Sequence, residues 1–577
     1  MFRQKKLAVG ATMVLGDSVR RGLVCAVVVS ATVLVPVGAS ADPAPGRTER
    51  EITSSSPVTG VVASVVSLDA PLPTGSKPHP AECDRLSYLR YRAADGPQRS
   101  EDADRVLVAQ PGVFEGAGAF ESVARNTVAA ADAQGRHIEF WALDRRSNCL
   151  EDHTGTQAAL AANDLDVATN YYFRGGTANG RTFAGYADGA ATAWLSDQGL
   201  VQTMRDEYDV LRLEFPDQPT RKQKVLCGGH SLGGFLTGYF ADWDFDGNPA
   251  TTEDAGYNQC SGYFALDTVI KAGPPNPIRG FDIPQIPSAL AGPIEAASGA
   301  LTDVYPVTRL PAVINPETTN LLAMAGLAAR LNPTGVNDIV DRLPRSLNFD
   351  ATLRTLLSKD PVMAATGQPD IRTLYATNDA VVGALLDDNS QPLGFLQASV
   401  GFIGNGPVQD KYFPVPNEVV AAIPLLGTAL GNDRKAAPSS YGDPNVVYTW
   451  QDYDEMTPNA FTDPSKEVTS ISQLTRSLSE PPLDFTEWYF PTAINTDLGQ
   501  PTAPSIARHY LYRDGVTRNP VLTLQGDGGL DLGGSNNPSD VPIKLAGYNH
   551  LDVLTADRKQ NNGLPEQVST RLADFSR

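Results

Sequence analysis

Histidine and cysteine are both scarce in this chain, and each scarcity narrows what it can do. There are six histidines and five cysteines in 577 residues. No CxxC pair and no Cys/His spacing of the zinc-binding kind occurs, so a zinc module is not expected. Positive charge is short as well: 46 lysines and arginines face 66 aspartates and glutamates, a formal net charge of -20. A surface of that sign repels phosphate backbones and anionic headgroups, so nucleic acid is not an expected partner. Long apolar runs are missing too, with one exception near the start, and no stable membrane insertion is expected once that run is removed.

The exception reads as an address label. Arg3, Lys5, Lys6, Arg20 and Arg21 precede the run "GLVCAVVVSATVLVPVGA", which leads into Ala39-Ser40-Ala41. A basic region, an apolar region and a small-x-small site in that order predict a secretory signal peptide over 1–41 and a secreted, extracellular protein. Cys25 falls inside the apolar run without a lipid-attachment pattern. Four cysteines then remain, Cys83, Cys149, Cys227 and Cys260, and in an exported chain an even count predicts two disulfides among three possible pairings.

Residues 42–80 are rich in Ser, Thr, Pro and Gly and predict a flexible lead-in. From residue 81 the pattern changes. "RLSYLRYRA", "RVLVAQPG", "RHIEFWALDRR", "KQKVLCGG" and "SGYFALDTVI" read as strands, while "AFESVARNTVAAADAQG" and "GLVQTMRDEYDVLRLEF" have helical spacing. Strands alternating with helices predict an α/β fold with a mainly parallel sheet and flanking helices. The alternation stops over 271–515, where runs such as "TNLLAMAGLAARLN" and "NEVVAAIPLLGTALG" predict a large, mostly helical cap inserted into the core. It returns over 516–577 with "NPVLTLQG" and "IKLAGYNHLDVLTA". The core is thus expected in two pieces, 81–270 and 516–577.

Gly229-His230-Ser231-Leu232-Gly233 is a G-x-S-x-G motif with a strand pattern before it and a helical pattern, "FLTGYFADW", after it. That context makes Ser231 a candidate nucleophile on a tight strand-to-helix turn, with the helix N-terminus favouring a developing negative charge. The Leu232 amide, next in the chain, is a candidate oxyanion donor. His230 reads as a flanking side chain. Among the other histidines His550 alone follows a late strand in a loop, the place for a base that arrives last in the order Ser, Asp, His. His79 lies in the lead-in, His137 begins a strand, His153 follows one, and His509 is the reserve.

These motifs resemble the α/β-hydrolase superfamily, and within it secreted lipases and esterases. The resemblance covers roughly 83–270 and 516–577 and leaves the middle unmatched. "GHSLGG" is similar to the serine motif of many lipases, and "YNHLDVL" to the histidine segment of acid lipases, which again implies His550 as base. The resemblance implies a second oxyanion donor in the loop after "VLVAQPG", at the Val113 amide, with Phe114 as alternative. For the acid it implies two rivals. Asp527, after the penultimate strand, holds the usual superfamily position, although slightly early, with Asp531 behind it. Asp267 in "FALDTVI" matches the pancreatic-type arrangement. Asp379 in "YATNDAVVG" has the look of an acid motif but lies in the insertion.

A second ligand system follows the serine motif. In "DWDFDGNPATTE", Asp242, Asp244, Asp246, Asn248 and Glu253 sit at positions of a twelve-residue calcium loop, with Gly247 at the sharp turn. Pro249 departs from that pattern, so a structural calcium is expected and a regulatory EF-hand is not. No cofactor is expected for catalysis. The combined expectation is a secreted serine hydrolase that cleaves small-molecule or lipid-like carboxylic esters, probing bulky or apolar groups with its cap. Amidase, peptidase or acyltransferase chemistry on the same residues, or a non-catalytic binding protein on the same fold, are the alternatives.

Overall fold

The computed structural model describes residues 46–273, 288–309, 314–480, 482, 485–561 and 563–577. The basic start, its apolar run, Cys25 and the expected cleavage site lie outside the described residues. Among the described residues no helix is long and apolar enough to cross a membrane.

Nine strands form one sheet: β1 (Thr48–Ile52), β2 (Val61–Asp69), β3 (Arg85–Ala93), β4 (Val106–Gln110), β5 (Glu139–Leu143), β6 (Val225–His230), β7 (Gly262–Leu266), β8 (Val521–Gly526) and β9 (Ile543–Leu545). Their spatial order is β1-β2-β3-β5-β4-β6-β7-β8-β9. The first four in that order pair antiparallel, and every pairing from β5 to β9 is parallel. The fold is therefore mixed α/β with a mostly parallel sheet, as expected from the alternation.

The strand sequences explain their place. In β4, Val106 and Val108 face one apolar cluster while Leu107 and Ala109 face the other. In β7, Tyr263 and Ala265 face the first of these clusters, and Phe264 and Leu266 the second. Successive side chains point to opposite faces, so a strand covered on both sides must be apolar throughout. Helix α1 (Glu121–Asp132) covers one face, and α2 (Leu200–Glu214) with α3 (Leu232–Ala241) the other.

Two expectations need correction. Residues 48–69 are not a flexible lead-in: β1 and β2 form the antiparallel edge of the sheet, registered from Thr48 opposite Ser67 to Ile52 opposite Ala63. The Val-rich alternation of "VVASVVSLD" buries one side of β2, a local signal that the surrounding Ser/Thr/Pro composition hides. The insertion also carries small sheets, Gly401–Gly404 with Thr449–Asp452 and Val408–Asp410 with Ala436–Pro438. It shares its core with the part that bears the nine-stranded sheet. Ala325, Leu385 and Leu474 sit in the same cluster as Leu551 and Leu554. The cysteines pair Cys83–Cys149 and Cys227–Cys260.

Candidate functional site

Ser231 stands between the end of β6 and the start of α3. Its backbone has φ 52° and ψ -117°. A non-glycine residue at positive φ is strained, and such strain persists only where its surroundings enforce it. Here they do. The Ser231 N–H donates to Leu266 O at 3.3 Å, and its carbonyl accepts from the Thr268 hydroxyl at 2.6 Å and from Gly234 N at 3.2 Å. The flanking glycines are required by space. A Cβ at Gly229 would lie 2.5 Å from Gln110 O, and one at Gly233 2.1 Å from the same oxygen.

Asp267 follows β7 and is also held at positive φ, 43°. Its carboxylate is fully buried. Oδ1 accepts from Gly526 N at 2.9 Å; Oδ2 accepts from Leu530 N at 2.9 Å and bonds the Nδ1 of His550 at 2.5 Å. His550 is itself buried. Burial lowers its pKa, and a positive charge on His230 lowers it further, against the bond to Asp267, which raises it; the net shift is downward. The loop that carries His550 is tied to the insertion. Asp552 accepts from Asn549 N at 2.7 Å, from Ser399 N at 3.0 Å and from the Thr469 hydroxyl at 2.6 Å.

Of the rival acids, the structure brings Asp267 to His550 and sends the others elsewhere. Asp527 is exposed, and its Oδ1 accepts from Gly547 N at 3.0 Å, closing the turn after β9. Each is the first residue past its strand, β7 for Asp267 and β8 for Asp527, but Asp267 is fully buried while Asp527 is exposed. Asp531 Oδ1 accepts from Gly533 N at 3.4 Å. Asp379 lies in the first turn of a helix in the insertion, Asn378–Leu386. The reserve base, His509, is used at the acidic loop, where Nδ1 meets Asp244 O at 2.8 Å and the ring stacks on Trp243.

The turn after β4 carries the other oxyanion candidates. Among the described residues, the backbone N–H groups of Val113, Phe114 and Leu232 donate no hydrogen bond. Phe114 has φ 61°. Buried Arg145 clamps the turn, donating to Pro111 O at 2.5 Å, Gly112 O at 2.9 Å and Glu115 O at 3.2 Å while pairing with Glu487 at 2.6 Å. Sequence reasoning missed Arg145 and Glu115; no short motif marks either. Val113, Phe114 and Leu551 also line an apolar pocket completed by Leu385, Phe395 and Phe485 of the insertion.

The acidic loop begins where α3 ends, with Asp242 as the helix C-cap. Asp244, Asp246 and Asp254 bring carboxylate oxygens within 4.8 Å of one another. Asp244 Oδ1 accepts from Gly247 N and Asn248 N, while its buried Oδ2 has no hydrogen-bond partner. Asp242 turns away to accept from Val516 N at 3.3 Å, and burial raises its pKa to about 7. Glu253 is exposed and receives only the Thr252 amide, and the Asn248 side chain accepts from Ala250 N. The converging set is therefore shifted from the expected one: Asp254 takes the place of Glu253, and Asp242 and Asn248 serve the fold of the loop.

No protein-family model matches this chain, and no curated protein does. Among solved structures, the peroxisomal α/β-hydrolase Lpx1 of Saccharomyces cerevisiae is similar over 40% of this chain and 51% of its own, at 17% identity and a TM-score of 0.20. The chain thus spans about half the length of that protein.

Proposed function

We propose that the protein is a secreted serine hydrolase that cleaves carboxylic esters through an acyl-serine intermediate. The observation that carries this reading is the buried Asp267–His550 bond beside a serine held in a strained strand-to-helix turn. Asp267 fixes His550 with Nδ1 toward the carboxylate, so Nε2 is the nitrogen that takes the Ser231 proton and returns it to the leaving group. The free N–H of Leu232, at the start of α3, and that of Val113 receive the oxyanion. The apolar pocket beside Val113 and Leu551 supports an apolar acyl or alcohol group as the part that is recognised. Two disulfides support an extracellular setting.

The test is labelling with a fluorophosphonate, followed by hydrolysis of esters of graded chain length with amides and lactones alongside. Label on Ser231, lost in Ser231→Ala, with esters turned over fastest, is the expected result. A folded protein that takes no label belongs to the binding-protein class, and faster turnover of amides moves the assignment to amidases.

Asp244, Asp246 and Asp254 are proposed to hold a structural calcium, supported by the unpartnered buried oxygen of Asp244. Hard cations take several carboxylate and carbonyl oxygens, which this loop offers.

A further inference from the structure

His230, the residue before the serine, makes two hydrogen bonds that decide its proton count. Nε2 lies 2.9 Å from the backbone carbonyl of His550. A carbonyl only accepts, so Nε2 carries a hydrogen. Nδ1 lies 2.7 Å from Oε1 of Glu115. The other oxygen of that carboxylate, Oε2, accepts from Gly112 N at 2.6 Å. One more proton therefore lies on the line between Nδ1 and Oε1, and both side chains are buried.

We infer that Glu115 and His230 form a charged, buried pair that ties the turn after β4 to the His550 loop and holds His550 neutral into mildly acidic conditions. The inference rests on the serine-hydrolase reading, in which His550 must be neutral to act as a base. Three separate parts of the site meet in this pair: the turn that bears the oxyanion candidates, the serine turn and the base loop. The groups that face it are few. His230 looks onto Glu115, Asp267 and His550, whose ring centroid is 4.4 Å from its own. His550 looks onto His230, Asp267 and Glu115. Arg145 reaches only the backbone carbonyl of Glu115 and is itself paired with Glu487.

The charge directions agree with the geometry. Burial alone would raise the Glu115 carboxyl, yet the imidazole of His230 pulls it below the usual range. Burial alone would lower His230, yet Glu115 lifts it above its ordinary value. A positive ring this close to His550 opposes a second positive charge there. His230 is in this account a positioning residue: it touches the base loop and not the substrate.

The experiment is the rate of Ser231 labelling by a fluorophosphonate as a function of pH, in the wild type, His230→Gln and Glu115→Gln. Glutamine at 230 can keep a donor toward the His550 carbonyl but carries no charge. The acidic limb of the rate profile reports protonation of the base in the free protein. It is expected to move to higher pH by on the order of one unit in His230→Gln, and by less in Glu115→Gln, which removes a negative charge along with the positive one. An unmoved limb in folded, labelled variants overturns the inference and leaves the pair as a plain structural tie. NMR of selectively labelled histidine in the wild type gives a second reading that needs no variant. His230 remaining protonated at a pH where His550 is neutral supports the pair, and His230 titrating with or below His550 overturns it. Failure of the wild type to label at Ser231 strikes the hydrolase reading, and the NMR result still decides the charge on His230.

Discussion

At the scale of single residues, the arrangement asks for unequal effects from side chains that look alike. Replacing Ser231 or His550 by alanine is expected to lower turnover by several orders of magnitude with the fold intact, because only binding and oxyanion contacts are left. Asp267→Asn is expected to cost nearly as much, since it removes the partner that fixes the His550 tautomer, whereas Asp527→Asn is expected to be mild. Turnover measured on the two asparagine variants checks this; a severe Asp527→Asn with a mild Asp267→Asn would reverse the assignment of the acid. The downward shift at His550 also sets a direction for pH. The acidic limb of kcat/KM should lie below the ordinary histidine value of 6.5. The strained serine turn and the loop that carries His550 were legible in the sequence because each is embedded in a local pattern: glycines where a tight turn needs them, and a histidine in the loop after a late strand. The carboxylate that bonds His550 was not. Asp267 and Asp527 follow adjacent strands, and only the folded structure says which one is buried.

At the scale of elements, α3 is fixed at both ends by different means. Its N-terminus emerges from the strained serine turn, and its C-terminus runs into the acidic loop at Asp242. Ten residues at about 1.5 Å each put the loop roughly 15 Å from the serine, too far for a metal there to polarise a scissile bond. Calcium is therefore expected to act on stability alone. At a hundredfold excess over its dissociation constant it adds about 2.7 kcal/mol by mass action. Chelation should lower the Tm well before it reduces turnover at room temperature, and Asp244→Ala should abolish the calcium dependence of the Tm. A Tm indifferent to chelator and to added calcium, with no metal in the purified protein, would reduce the loop to an acidic turn. The acidic spacing was visible in sequence, but which carboxylates converge was not. The twelve-residue template assumes a loop between two helices; here a short 3-10 turn, Gly256–Asn258, and then β7 follow, and Asp254 converges with Asp244 and Asp246 while Glu253 stays exposed.

At the scale of the whole molecule, the alternating strands and helices announced the sheet, while the insertion was legible only as an interruption. Its apolar residues could equally have built a separate domain. In the structure they join the central core, and the folded molecule buries acids in both parts. Glu207 is buried beside Gln110, and burial raises its carboxyl to about 7. Glu467, in the insertion, is raised by burial to about 8. A carboxyl raised on folding binds more protons in the native state than in the unfolded one, so its contribution to stability falls as pH rises through that interval. Between the ordinary glutamate value of 4.5 and about 7, the Tm is therefore expected to fall with rising pH, and Glu207→Gln should flatten that slope. Thermal melts across the interval check the sign. A Tm that climbs with pH would show that these acids are ionised in the native state.

The bond between Asp267 and His550 joins positions 283 residues apart. A ribosome delivers the serine and the acid early, then the whole insertion, and the base only afterwards. Until β8 and β9 have added themselves to the sheet edge beyond β7, the nascent chain holds a poised serine with nothing to take its proton. On the proposed mechanism, hydrolytic power thus switches on only at the last step of assembly.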